Sequence, residues 1–193
     1  LRFLQDPTRK IAVLSVDPSS EISQGSILGD KTRMNQLSSI DGVYIRPSAS
    51  GNNLGGVAKN TRLAILLCEA AGYNTILIES VGVGQNETEI AKLSDLFVLL
   101  ISPGGGDELQ GIKRGIMEVA DIIVVNKADG NNKNQAQITA KEYSMALDLK
   151  PKSKNQWIPK IIVASAYEKN GIQPFIEKCI DFDDHVREKW KHL

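Results

Sequence analysis

Short apolar runs alternate along this chain with longer segments in which apolar residues recur at helical spacing. The runs are short enough to be strands, and the longer segments are typical of helices. The predicted strands are Lys10–Val16, Val43–Arg46, Thr75–Ile78, Leu96–Ile101, Asp121–Val125 and Lys160–Ala164. The predicted helices are Asp30–Ser38, Val57–Ala71, Asn86–Leu93, Leu109–Val119, Lys133–Leu149 and Ile172–Trp190. This alternation predicts an α/β fold: a doubly wound, mostly parallel sheet with helices on both faces.

The helix predicted over Val57–Ala71 carries an apolar stripe at helical spacing, and Gly72 is suited to end it. The stripe comprises Ala58, Leu63, Ile65, Leu66 and Ala70. The preceding segment, Ser48–Gly56, is rich in Gly, Asn and Ser, which predicts a flexible loop.

The chain is organised around the run Ile122–Val125 and the residues Asn126, Lys127 and Asp129 that follow it. The pattern is that of a buried parallel strand with polar groups at its carboxyl end, where open α/β sheets bind ligands. A carboxylate such as Asp129 can accept hydrogen bonds from N1–H and the 2-amino group of guanine, a pair that adenine lacks. Asn126 can bond O6 or N7 or brace a neighbouring loop, and the Lys127 stem can lie along the base. The stretch therefore predicts guanine binding.

Composition excludes several other classes of protein. The 193 residues are 41% apolar and 24% charged, as in a globular domain with a sizeable core. Positive and negative side chains number 23 each, which argues against a general binder of nucleic acid or anionic membranes. The longest apolar runs are too short to span a bilayer. Cys68 and Cys179 are expected to be reduced and packed, and the absence of a His/Cys cluster argues against a zinc site.

Carboxylates near the predicted strand ends are candidates for holding Mg²⁺, a hard cation that takes oxygen ligands. The candidates are Asp17, Asp30 and Glu79. Asp17 can also be a turn residue before a proline, and Asp30 can be a helix N-cap. Glu79 is harder to explain in that way, because a carboxylate that ends an apolar strand is costly without a partner.

Glycines and small residues follow other strands. Gly82 and Gly84 would let the backbone approach a phosphate, or they are simple turn residues. The run Gly104–Gly106, followed by Asp107, suits a switch loop or a plain strand–helix connection. Ser165 and Ala166 would place small side chains beside a bound purine.

Four cations could reach phosphates or a partner, although most such residues are solvated surface charge: Arg33, Arg46, Lys113 and Arg114. The two tryptophans, Trp157 and Trp190, are expected to serve packing or an interface.

Five motifs occur together in a fixed order. They are Asp17-Pro18-Ser19-Ser20, Gly29-Asp30-Lys31-Thr32-Arg33-Met34, Glu79-Ser80-Val81-Gly82-Val83-Gly84-Gln85, Gly106-Asp107-Glu108-Leu109-Gln110-Gly111-Ile112-Lys113 and Asn126-Lys127-Ala128-Asp129. Together they closely resemble the MeaB/ArgK-type GTPases, the methylmalonyl-CoA mutase-associated family, from about Lys10 to Phe182. The resemblance implies a fold similar to that of P-loop NTPases.

The resemblance also implies a function: a GTPase chaperone that protects an adenosylcobalamin-dependent methylmalonyl-CoA mutase and gates its cofactor delivery. It implies GTP/GDP and Mg²⁺ as ligands. The balanced charge noted above predicts no nucleic-acid or membrane partner. By similarity, guanine is held by Asn126, Lys127 and Asp129, with Ser165, Ala166 and Tyr167 alongside. Mg²⁺ and the phosphate region are served by Asp17, Asp30 and Glu79. The residues that support catalysis and switching are Glu79, Gly82, Asp107 and Lys113, of which Asp107 and Lys113 sense the mutase.

One feature of the family is missing from this chain. The phosphate-binding loop, Gly-x-x-Gly-x-Gly-Lys-Ser/Thr, would precede the strand at Lys10, where Leu1–Asp6 resembles only the tail of the helix that follows that loop. We therefore expect a truncated GTPase domain over residues 1–182, with impaired GTP binding and hydrolysis. Residues 183–193 are expected to begin a C-terminal helical extension, and the full-length form to be a homodimer. Bacterial cytoplasm is the expected compartment, with the mitochondrial matrix as the alternative.

Two other functions stay open. Proteins of this type have been described as ATP-using kinases linked to basic amino-acid transport, although Asn126 and Asp129 favour guanine over adenine. A non-catalytic module that binds a partner through this fold is the other alternative. A nickel- or cobalt-inserting GTPase is less favoured, because the sequence lacks the His/Cys clusters that such proteins use for metal.

Overall fold

The computed structural model describes residues 8–17, 34–49, 54–80, 91–104, 114–149 and 157–190. The chain divides into two compact units, Leu1–Ser94 and Asp95–Leu193. The described strands form two three-stranded parallel sheets, one in each unit. Most of the predicted helix Asn86–Leu93 and the predicted helix tail Leu1–Asp6 lie outside the described residues.

The sheet of the first unit has β1 (Ile11–Asp17) between β2 (Val43–Ala49) and β3 (Thr75–Ser80). The central strand is apolar on both faces and buried, as expected for a parallel sheet covered by other elements. A short helix, α1 (Asn35–Ser38), precedes β2, and α2 (Leu54–Ala70) joins β2 to β3. The loop predicted over Ser48–Gly56 is shorter than expected, because β2 continues through Ala49 and α2 begins at Leu54. Pro47 lies within β2. Pro is tolerated there because β2 is an edge strand of this sheet.

The apolar stripe predicted for α2 is wrong in part. The face that packs on β1 carries Thr61, Ala64 and Cys68, which are buried, whereas Leu63 and Leu66 are 52% and 53% exposed. The exposed leucines Leu63, Leu66 and Leu67 share the opposite side of the helix. Apolar residues therefore lie on both sides, so helical periodicity alone does not select one face. The side chains that contact the sheet are small, which lets the helix backbone approach β1 closely.

The second unit has β5 (Ile122–Val125) between β4 (Val98–Ile101) and β6 (Lys160–Val163). Among the described residues of this unit, three α-helices connect or follow these strands, namely α3 (Arg114–Val119), α4 (Lys133–Asp148) and α5 (Ile172–Trp190). Ile123 packs against α3 and α4, and Ile122 packs on the opposite face of the sheet near Phe175 and Cys179 of α5. Helices therefore cover both faces of this sheet, as the alternation of strands and helices predicts.

The amino end of β5 is fixed by a polar corner around Asp121. The Asp121 carboxylate accepts a 2.9 Å hydrogen bond from the Phe97 backbone N–H, and its carbonyl accepts one from Trp157 Nε1 at 2.9 Å. Burial raises the pKa of the Asp121 carboxyl, and the Phe97 N–H partly opposes that shift. The Trp157 ring packs edge-on against Phe182, with 5.1 Å between ring centroids. Trp157 is thus a packing residue, as predicted.

Both cysteines are unpaired thiols, as the sequence predicts. Cys68 lies in the core of the first unit and Cys179 on the sheet-facing side of α5. Burial raises the pKa of both thiols, that of Cys179 to about 11.

Among the helices in the described ranges, none has the length and apolar character needed to cross a membrane.

Candidate functional site

The three strands of the second unit end together, and backbone hydrogen bonds join the residues that follow them. The Asn126 N–H donates to the Ile101 carbonyl at 2.9 Å, which ties the end of β5 to the end of β4. On the other side, Ala128 N–H donates to the Ala164 carbonyl at 3.0 Å, which ties the same segment to the end of β6. Asn126 through Asp129 therefore lie at the carboxyl edge of the sheet, where parallel α/β sheets bind ligands.

Lys127 has a left-handed backbone conformation, with φ of 58°. Such a conformation costs a residue with a Cβ about 1–2 kcal/mol relative to the right-handed regions. It persists here because the segment is bonded to β4 on one side and to β6 on the other. The turn at Lys127 lets both Asn126 and Asp129 contact the loop after β6, and it leaves the Lys127 side chain exposed.

The Asp129 carboxylate contacts the Ser165 hydroxyl directly. Ser165 Oγ donates to Asp129 Oδ2 at 2.5 Å, and the Ser165 side chain is completely buried. Asp129 stands at the N-cap position of the short 3-10 helix Gly130–Asn132, yet its side chain makes no capping hydrogen bond. The carboxylate is therefore directed to Ser165 instead of the helix end, and it keeps further lone pairs that can accept hydrogen bonds from a ligand.

Asn126 braces the same loop. Its Oδ1 accepts a hydrogen bond from the Ala166 backbone N–H at 3.2 Å. This contact uses the acceptor half of the amide and leaves the donor half, Nδ2, to face a ligand. Of the two roles that the sequence leaves open for Asn126, the structure contains the bracing contact.

The loop after β6 is a closed turn over residues 165–170. Ser165 and Asn170 form a reciprocal antiparallel bridge, with N···O distances of 3.0 and 3.1 Å. Gly171 follows with φ of 74°, and a Cβ there would lie 2.4 Å from the Val163 carbonyl oxygen. Only glycine fits this position. At the tip, Tyr167 is 90% exposed, so its ring contacts little of the described chain.

In the first unit, Glu79 lies near the carboxyl end of β3 and pairs in register with Ser15 of β1. Its Oε2 is buried and has no hydrogen-bond partner among the described residues. A buried carboxylate oxygen without a donor is uncommon and calls for a ligand, an ion or water. Asp17 is the last residue of β1, two positions beyond Ser15, so its backbone lies at the same end of this sheet.

Four of the predicted site residues lie outside the described residues: Asp30, Gly82, Asp107 and Lys113. Across the described part of the chain, no group of three or more His, Cys, Asp or Glu side chains could hold a metal ion. The structure thus brings together Asn126, Asp129, Ser165 and Ala166, leaves Lys127 and Tyr167 exposed beside them, and keeps Glu79 in the other unit.

Sequence reasoning missed Glu168, Lys133 and Gly171. The Glu168 N–H donates to Ser165 Oγ at 3.0 Å, and its carboxylate forms a 3.1 Å ion pair with Lys133. No local pattern links the two charged residues, which are distant in sequence. Gly171 had a usable signal, because Asn-Gly is a strong turn dipeptide.

A family model described as "Methylmalonyl Co-A mutase-associated GTPase MeaB" matches residues 2–192. The chain belongs to the MeaB family. Its curated relatives include "GTPase ArgK" of Escherichia coli (strain K12), which is 50% identical over 173 residues, 90% of this chain and 52% of the relative. "Methylmalonic aciduria type A homolog, mitochondrial" of Mus musculus is 51% identical over 185 residues, 96% of this chain and 45% of the relative. The MeaB-family chain thus spans about half the length of these relatives.

Solved structures agree on the fold of this MeaB-family chain. A crystal structure of "LAO/AO transport system kinase" superposes with a TM-score of 0.77 at 36% identity, covering 97% of this chain and 54% of that one. The structure of HypB from Helicobacter pylori in complex with nickel superposes with a TM-score of 0.58 at 17% identity, covering 93% and 76%. The second match bears on the fold alone. Together they confirm the predicted α/β fold.

Proposed function

We propose that this chain binds guanine nucleotides at the carboxyl edge of the β4-β5-β6 sheet, and that the full-length protein hydrolyses GTP. The observation that carries the proposal is a pair of hydrogen bonds at this edge, from the Ser165 hydroxyl to Asp129 and from the Ala166 N–H to Asn126. With one oxygen held by Ser165, the Asp129 carboxylate can still accept hydrogen bonds from N1–H and the 2-amino group of guanine. Adenine offers neither donor in that arrangement.

The neighbouring residues have complementary roles in this proposal. The Asn126 amide nitrogen donates to N7 or O6, while its oxygen keeps the Ala166 backbone in place. The exposed Lys127 stem lies along the plane of the base. Ala166 adds little bulk, and Tyr167 lies alongside the nucleotide. Membership of the MeaB family supports this assignment of roles.

Mg²⁺ fits the unpartnered oxygen of Glu79. That buried carboxylate oxygen is a hard donor that receives no hydrogen bond from the described residues, which is the kind of ligand Mg²⁺ prefers, directly or through water. Asp17 and Asp30 are proposed to share the ion and the phosphate region. When bound, Mg²⁺ neutralises charge that develops on the transferring phosphate. Glu79 and its neighbours would hold the ion and exclude competing donors.

The remaining proposed residues lie in segments that would change conformation with the bound nucleotide. Gly82 would begin one switch segment, and Asp107 and Lys113 would belong to a second that senses the partner. The proposed partner is an adenosylcobalamin-dependent methylmalonyl-CoA mutase, which the full-length protein, as a homodimer, would protect and supply with cofactor. The family description names a methylmalonyl-CoA mutase association, which supports this choice of partner. A bacterial cytoplasm or a mitochondrial matrix fits such a role.

GTP turnover by the full-length protein, with and without the mutase, tests this proposal. We expect slow unaided turnover that the mutase accelerates, because partner contact completes the switch segments. Asp129→Ala should abolish turnover at low GTP concentration. GTP turnover that the mutase leaves unchanged would contradict the partner assignment, and the absence of any GTP turnover would contradict the enzyme assignment.

An ATP-using kinase linked to basic amino-acid transport is the second candidate. It is favoured by one observation, the likeness to the crystal structure titled "LAO/AO transport system kinase". The chemistry of Asp129 opposes it, because an adenine 6-amino group would meet the Asn126 side rather than the carboxylate. Phosphate transfer from ATP to a protein or amino-acid acceptor, unaffected by excess GDP, would support the kinase instead.

A further inference from the structure

Glu168 joins two parts of the candidate site by two different contacts. Its backbone N–H donates to Ser165 Oγ at 3.0 Å, and its carboxylate forms an ion pair with Lys133 Nζ at 3.1 Å. Ser165 Oγ in turn donates to Asp129. The same hydroxyl is therefore fixed from both sides, as acceptor from Glu168 and as donor to Asp129.

These contacts close a ring. Asp129 is followed by the 3-10 helix Gly130–Asn132, and the next residue, Lys133, begins α4. Lys133 then contacts Glu168, and Glu168 returns through Ser165 to Asp129. The ring links the segment that ends β5 to the loop that follows β6. Contacts of Asn126, Ala128 and Asp129 join the same two segments.

Lys133 is an unfavourable residue for its place in the helix. The first turn of α4 contains no acidic residue, and a cation at a helix N-terminus opposes the helix dipole. The Glu168 carboxylate offsets this, since it neutralises Lys133 and lies near the positive end of the helix. The ion pair with Glu168 in the loop after β6 thus explains why a lysine is tolerated at the start of α4.

We propose that the Lys133–Glu168 ion pair is a clasp that positions Asp129 to read the 2-amino group of guanine; this rests on the proposed function. Both residues are positioning residues, because they act through Ser165 and Asp129 and do not contact the nucleotide. The side chains are 57% and 35% exposed, so the clasp is screened by salt and its effect is small but measurable. Opening it lets Asp129 move away from the base without unfolding the domain.

The test compares two single variants and a charge-swapped variant of the full-length protein. Glu168→Gln and Lys133→Met should each weaken GDP binding about two- to fivefold, mainly through faster dissociation, as expected for an exposed pair. Binding of IDP, which lacks the 2-amino group, should change less, so the ratio of GDP to IDP affinity falls. The charge-swapped protein, Lys133→Glu with Glu168→Lys, should recover most of the loss. The difference from wild type should shrink at high salt.

Asp183→Asn is the matched control, because it removes a comparable exposed ion pair, Arg187–Asp183 at 2.8 Å on α5. It should leave the GDP to IDP ratio unchanged. If Glu168→Gln behaves like this control while Asp129→Ala loses GDP, the clasp is wrong and the proposed function stands. If Asp129→Ala also leaves GDP binding unchanged, the proposed function fails with it. A fall in GDP and IDP affinity by the same factor would show a general structural role and overturn the positioning role.

Discussion

The Ser165 hydroxyl donates a 2.5 Å hydrogen bond to the Asp129 carboxylate from a completely buried position. The two residues follow different strands of one parallel sheet, and the contact fixes the direction in which the carboxylate faces. A carboxylate that reads a base edge must be held in one orientation, since its selectivity depends on two parallel hydrogen bonds. The contact therefore explains how a side chain after a strand can serve recognition.

Ser165→Ala should weaken GDP binding more than it weakens folding. The substitution removes the donor to Asp129 and the acceptor for the Glu168 N–H, and net hydrogen bonds to charged groups contribute about 1.5–3 kcal/mol. We expect a loss of GDP affinity of about tenfold or more, measured by calorimetric titration of the full-length protein. Ser94→Ala is the control, because that hydroxyl lies in the other unit and donates to the Ala91 carbonyl. Equal losses in the two variants would contradict the role given to Ser165.

Gly171→Ala should be strongly destabilising, whereas Gly72→Ala should be mild. Both glycines have positive φ, 74° and 83°, so both substitutions incur a backbone cost of about 1 kcal/mol. At Gly171 the added Cβ would also lie 2.4 Å from the Val163 carbonyl oxygen, while nothing lies within 4 Å of the one at Gly72. We expect an additional loss of about 2 kcal/mol at Gly171. Urea unfolding compares the stabilities of the two variants. Similar unfolding midpoints would contradict the close approach of Gly171 to the Val163 carbonyl.

Asp121→Asn and Asp121→Ala should differ. Burial raises the pKa of the Asp121 carboxyl above 3.8, so the folded state favours its protonated form and the buried charge lowers stability at neutral pH. Asparagine keeps an acceptor for the Phe97 N–H without the charge and should be neutral or stabilising. Alanine leaves that N–H unpaired and should cost about 1–3 kcal/mol.

The pH dependence of the same pair has a definite sign. The pKa of the Asp121 carboxyl is higher in the folded state than the ordinary value of 3.8. As the pH falls toward 3.8, this carboxyl therefore takes up its proton in the folded wild type before it does so in the unfolded chain. The stability of the wild type should therefore rise relative to Asp121→Asn over that window. Denaturant unfolding of both proteins at neutral pH and at a series of lower pH values down to about 3.8 measures the difference. A wild-type protein that loses stability relative to the variant on acidification would show that the charged form is favoured.

The Cys179 thiol should be unreactive at neutral pH. Burial raises its pKa to about 11, and the thiolate is the nucleophile. At pH 8 about one thiol in a thousand is then ionised, so alkylation by iodoacetamide should be more than tenfold slower than for an ordinary exposed cysteine. The rate should rise steadily up to about pH 11, as followed by mass spectrometry of the intact protein. Rapid alkylation at pH 7 would mean that α5 leaves the sheet readily.

Part of this molecule could be predicted from sequence because its signals are local. The strand Ile122–Val125 is followed directly by the site residues Asn126 and Asp129. The apolar run predicts the strand, and the residues next to it predict the binding chemistry. The ion pair of Lys133 with Glu168 could not be predicted, because it depends on how two strand ends meet. The buried face of α2 could not be predicted for another reason. Apolar residues lie on both sides of that helix, and burial depends on which small residues fit β1.

The central claim is that Asp129 selects guanine, and nucleotide titration of the full-length protein tests it most directly. The wild-type protein should bind GDP in the presence of excess ATP. The Asp129→Ala variant should lose GDP binding. The Asp129→Asn variant should bind XDP in preference to GDP. This preference is expected because an amide can donate to the 2-oxo group of xanthine, as a carboxylate cannot. If ATP displaces GDP from the wild type, or if Asp129→Ala and Asp129→Asn bind GDP as the wild type does, Asp129 does not read the base.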